Sequence, residues 1–134
     1  MLQSILIATA IGVAGPHMMT DQDTRAALLE AARAPVQAEL GKAPKFRVDQ
    51  LHRDGDWAFL LATMQDSDGK PFDYQGTPLA DAAQQGMVSR IYAALLRHDA
   101  RGWQIVAKAI GPSDVAWEDW PKRYGAPARL FTGG

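Results

Sequence analysis

One phrase occurs twice in this chain and constrains its fold more than any other feature. Leu51-His52-Arg53-Asp54-Gly55-Asp56-Trp57-Ala58-Phe59-Leu60-Leu61 runs from an apolar strand end through a polar turn to Trp and a second apolar strand. Leu96-Arg97-His98-Asp99-Ala100-Arg101-Gly102-Trp103-Gln104-Ile105-Val106 does the same. Asp suits a turn because its side chain bonds nearby backbone, and Gly because it accepts positive φ. The aromatic and β-branched residues on either side suit strands. Two such hairpins in series predict an antiparallel meander.

The rest of the chain fits around that core. Thr20 can cap a helix whose first turn holds Asp21 and Asp23, where carboxylates oppose the helix dipole. Leu28, Leu29, Ala32, Val36 and Leu40 recur at spacings of three and four, which makes one apolar stripe. Pro35 either kinks this helix or starts a second one that stops at Gly41. Strand one is expected over 45–51, with Phe46 and Val48 on one face and Arg47 and Asp49 on the other. Strand two, 57–64, is apolar on both faces, so it should be central. A turn-rich loop (65–71), a short extended piece (72–74) and a brief helix over 79–85, capped at Thr77-Pro78 and stopped at Gly86, should follow. Strand three is expected over 87–97, where a helix is the rival reading, and strand four over 103–110, ended by Gly111-Pro112. Ser113 or Asp114 should cap a helical turn reaching Trp120, Pro121 restarts the chain, and Gly125-Ala126-Pro127 closes it. The expected fold class is α+β: an N-terminal helix packed on a curved four-stranded antiparallel meander, with an irregular aromatic-rich C-terminal segment.

With 134 residues, 47% hydrophobic and 22% charged, the chain can bury one core and is expected to form one domain, 20–134. A net charge of −1 argues against a general nucleic-acid binder, since phosphate contacts need a basic surface. The run Leu2–Ala14 is too short to span a bilayer, so the mature domain should not insert stably in a membrane. It is apolar and ends in Gly12-Val13-Ala14, a small-x-small pattern that suits signal-peptide cleavage, although no Lys or Arg precedes Arg25. Residues 1–19 therefore read as a leader, which implies a periplasmic or secreted protein. Gly15-Pro16-His17-Met18 also matches a cloning remnant, so His17 carries no functional argument. The absence of cysteine excludes disulfides, thiolate nucleophiles and Cys-ligated metals.

The helix followed by a meander resembles the cystatin-like and NTF2-like architectures, in which a curved sheet wraps a helix. Gly55-Asp56-Trp57-Ala58-Phe59, Gly111-Pro112-Ser113-Asp114-Val115-Ala116-Trp117 and Trp120-Pro121-Lys122-Arg123-Tyr124-Gly125-Ala126-Pro127 also resemble a group of small bacterial proteins, mostly with signal peptides. That resemblance spans about Arg25 to Phe131 and implies a fold and export, but no activity.

Three sets of residues are candidates for chemistry. His52 and Asp54 with His98 and Asp99 would suit a divalent metal or an acid–base pair if the two turns meet, although no metal-ligand spacing is present and turn residues need no function. Asp73 and Tyr74, with Arg90 and Asp114, would suit a pocket between helix and sheet, which the fold resemblance implies. Asp73 would there be desolvated by Phe72 and Tyr74 and act as a general base. The ordinary reading is a loop Asp satisfied by backbone amides. Trp117, Trp120, Tyr124 and Phe131, interleaved with Lys122, Arg123 and Arg129, either cap the open face of the sheet or recognise a partner. No nucleophile elbow, phosphate loop or dinucleotide fingerprint occurs.

The sequence therefore points to an exported binding module needing no cofactor and no metal. Trp117, Trp120, Arg123 and Tyr124, beside the loop Ser67–Thr77, are its expected surface. An envelope protein, a cell-wall component or a small apolar ligand is the expected partner. The alternative is an NTF2-like isomerase or hydrolase built on Asp73, Tyr74 and His98. A homodimer through a sheet edge is a third reading.

Overall fold

The computed structural model describes residues 21–132. The reading of 1–19 as a leader falls outside them. Helix α1 (Asp21–Leu40) leads into strands β1 (Lys45–Asp54) and β2 (Trp57–Gln65), the short helix α2 (Ala80–Gln84), strands β3 (Ile91–Asp99) and β4 (Gly102–Ile110), and two short helices, α3 (Trp120–Tyr124) and α4 (Arg129–Thr132). The strands form one antiparallel sheet in the order β1-β2-β3-β4, as the paired hairpin phrases predict.

Helix α1 packs across one face. Leu28, Ala32, Val36 and Leu40 are buried against Leu60, Ala62 and Met64 of β2 and Tyr92, Ala94 and Leu96 of β3. The alternation of alanine with larger residues on the strands lets the helix approach closely while its leucines fill the gaps. Pro35 lies inside the helix without ending it. Its ring has no N–H to give the preceding turn. In that turn the Ala32 carbonyl accepts a 2.8 Å hydrogen bond from the Tyr92 hydroxyl, so the sheet clamps the helix there.

The second face carries Phe59, Ala93, Leu95 and Ala107, covered by Trp120, Ala126 and Leu130 of the C-terminal segment. The structure is thus three layers: helix, sheet and C-terminal strap. In place of an irregular strap there are two short helices; Gly125, with φ of 70°, makes the left-handed turn that ends α3, and residues 126–128 lead into α4. Helix α3 begins at Trp120 after Asp119, where the sequence predicts the end of a helical turn capped by Ser113 or Asp114.

Two strand boundaries differ from expectation by three residues or more. Strand β3 starts at Ile91, later than predicted, because Met87 N–H bonds the Ala82 carbonyl and completes the end of α2. Ser89 is then tied to Pro112 through its side chain and to Gly111 through its backbone. Strand β1 runs on to Asp54 after its register shifts between Val48 and Gln50. A second shift lies at Leu95/Leu96, where Ala107 and Ile105 are the successive partners. Such bulges bend a strand and raise its twist.

Candidate functional site

The meander brings both hairpin turns to one end of the sheet. Trp57 pairs with Arg97, and His98 N–H bonds the Asp56 carbonyl at 2.7 Å. The two histidines nevertheless do not meet. His52 pairs with Phe59 and so lies on the strap face, whereas His98 pairs with Trp103 and lies on the helix face. The carboxylates are engaged separately. Asp54 accepts two hydrogen bonds from Arg129, at 2.6 and 3.1 Å, and this guanidinium holds its carboxyl below the usual range. Asp99 caps its own turn, accepting the Arg101 N–H at 2.8 Å, and that bond likewise lowers its carboxyl. Among the described residues, no group of three or more His, Asp or Glu side chains is gathered for a metal ion.

Asp73 and Tyr74 are also taken apart. Tyr74 is buried, with its hydroxyl donated to the Ser89 carbonyl at 2.6 Å, and burial raises its pKa. Its proton is committed to the backbone. Asp73 is exposed; its carboxylate accepts the Gln75 N–H at 2.9 Å in a local turn, and its carbonyl accepts Lys42. Arg90 donates to the Phe72 carbonyl at 2.8 Å, and Asp114 is exposed in the segment after β4. A shallow cavity of about 140 Å3 opens beside Asp73, Tyr74 and Arg90. His98 does not reach it. Tyr74 bonds the chain just before Ile91, and His98 is seven residues further along β3, about 23 Å at ~3.3 Å per residue. The set Asp73, Tyr74 and His98 is therefore not one site.

The C-terminal aromatics are mostly spent on the sheet. Trp120 is 4% exposed and meets Phe59 edge-on at 6.3 Å. Phe131 lies 4.5 Å from Phe59, and Arg129 pins the strap to Asp54. Trp120 therefore caps the core and has no face for a partner. Trp117 and Tyr124 are half-buried. Arg123 is exposed over the Tyr124 ring and 3.9 Å from Asp119.

Among the described residues, a groove that none of these sets included lies on the helix side, between the start of α1 and the end of β1. A cavity of about 330 Å3 is lined by Asp21, Thr24, Arg25, Leu28, Leu51 and Arg53. It continues into a smaller space of about 100 Å3 that shares Thr24 and Arg53 and is bounded by Asp56, His98 and Trp103. The Arg53 guanidinium sits 5.8 Å from the centre of the Trp103 ring, and His98 meets that ring edge-on at 5.0 Å. The signal was present in the pattern. Arg25 precedes Leu28 by three on the helix, and Arg53 follows Leu51 by two on the strand, so each arginine shares the face of a core leucine.

Comparison with known protein families, curated proteins and solved structures found no match. No helix among the described residues is long and apolar enough to cross a membrane.

Proposed function

We propose that this protein is a small binding module whose ligand enters the groove between α1 and β1. The observation that carries this reading is the groove's composition: an apolar floor at the half-buried Leu51, with the core residue Leu28 behind it, flanked by the edge-on His98–Trp103 pair and polar side chains from separate elements. Ligand sites combine those features, an apolar surface for affinity and a few polar groups for orientation. The cavity beside Glu39, Leu79 and Lys108 makes a poorer candidate, because Lys108 and Glu39 already pair with each other at 2.5 Å. A neutral apolar probe tests the reading. Octanol titrated into the labelled protein should shift the amide resonances of Thr24, Leu28, Leu51 and Trp103. Shifts confined to Trp117 and Tyr124 would move recognition to the strap, the surface on which an envelope protein or cell-wall component would dock. A spectrum unchanged at both places overturns the reading.

Export is a separate proposal and rests on the apolar run Leu2–Ala14. Protein recovered outside the cytoplasm should begin near Gly15. Recovery only of chains beginning at Met1 overturns it.

A further inference from the structure

We infer that the groove's ligand is a small amphiphilic carboxylate, its head group held between Arg25 and Arg53 and its apolar body laid on the half-buried Leu51. This rests on the groove being the binding site. The two guanidiniums come from opposite walls, one from α1 and one from β1. Among the described residues neither is in a salt bridge, and Arg53 instead approaches the Trp103 ring. Five other arginines pair with acids: Arg33 with Glu30, Arg47 with Asp49, Arg101 with Asp99, Arg123 with Asp119 and Arg129 with Asp54. Arg90 donates to the Phe72 carbonyl and Arg97 lies over the Trp57 ring, so Arg25 and Arg53 are set apart by lining one cavity together. Two cations left across one apolar floor repel each other, and an anion between them reverses the sign of that interaction.

Asp21 also lines the wider part and offsets one of these charges, which leaves one net positive charge there, while Asp56 bounds the smaller space. That balance fits a single carboxylate better than a more highly charged head group. A carboxylate also matches the planar donor fork of arginine. The volume of about 330 Å3 is near the lower end for ligand pockets, which favours a short apolar body over a long lipid chain. Arg53, held near Trp103, is the better positioned of the two and should contribute more.

The test compares octanoate with octanol on the full chain, with affinities read from amide shifts and heat of binding. Octanoate should bind at least about tenfold more tightly, as one charge-assisted contact implies. Arg53→Gln and Arg25→Gln should each narrow that difference, and the double substitution should abolish it while octanol binding persists. Both positions are exposed, so the variants should fold, and unchanged urea midpoints check this. Equal affinities for the two probes overturn the carboxylate and leave the groove standing as a site. Binding of neither probe overturns both. Nuclear Overhauser contacts from residues 1–20 onto Leu28 or Leu51 in the free protein also overturn the proposal, since the chain would then occupy its own groove.

Discussion

Trp120→Ala should destabilise the protein by about 3–5 kcal/mol, the range for truncating a buried Trp to Ala. The ring is buried between Phe59 of β2 and Tyr124 of its own helix, with centroids 6.3 and 6.4 Å away. It thus joins the strap to the central strand. Removing it leaves a cavity over Phe59 that α3 cannot fill, because Pro121 and Gly125 fix both ends of a five-residue helix. Small domains have only about 5–15 kcal/mol in hand, so the loss would consume much of the total. Urea unfolding gives the cost directly from the midpoint at constant slope. Trp120→Phe should recover part of it, and Trp117→Ala, at a half-buried ring, should cost less than Trp120→Ala. A change of under about 0.5 kcal/mol, the size expected for an ordinary surface substitution, would show that the strap does not hold the sheet's second face.

The same contact separates what the sequence could and could not reveal. Turn residues and apolar periodicity are local properties, so the helix, the four strands and their order were legible from residues such as Leu28, Trp57 and Gly102. Capping and recognition remained alternatives for Trp120 because the distinction depends on which face of β2 the strap covers. The bulge in β1 is a sharper example. A strict alternation from Val48, on the helix face, would put His52 on that same face, the one His98 occupies across β2. The register shift between Val48 and Gln50 moves His52 across to Phe59 and dissolves the paired-histidine site. No residue in that stretch announces the shift, since Asp49 and Gln50 are as acceptable in a regular edge strand as in a bulge. Arg25 and Arg53 failed to stand out for the opposite reason. Each is an ordinary surface residue in its own element, and only the packing of α1 on the sheet makes them neighbours.

Gly111→Ala should cost about 2–5 kcal/mol, although it adds a single methyl group; strain and crowding both contribute. Gly111 follows β4 with φ of 67°, a conformation that costs an L-residue about 1–2 kcal/mol. A Cβ there would lie 3.0 Å from the Ser89 carbonyl oxygen, 3.0 Å from the Tyr74 hydroxyl and 3.2 Å from the Val88 Cβ. The two oxygens are not free to withdraw. Ser89 N–H bonds the Gly111 carbonyl at 3.1 Å, Gly111 N–H bonds the Ile91 carbonyl at 2.8 Å, and Tyr74 donates to Ser89 at 2.6 Å. Overpacking of this kind adds about 1–3 kcal/mol. Gly86→Ala separates the two contributions. It imposes φ of 71° with no atom within 4 Å of the new methyl, so it should show the conformational cost alone. Equal losses for the two substitutions would mean that the crowding around Gly111 relaxes at no cost. If the crowding persists, removing the Tyr74 hydroxyl should be less harmful in the Gly111→Ala background than in the unaltered protein. A double-mutant cycle with Tyr74→Phe measures that coupling. A positive result would assign Tyr74 to the joint between the two ends of the sheet's last hairpin, where its hydroxyl braces the backbone.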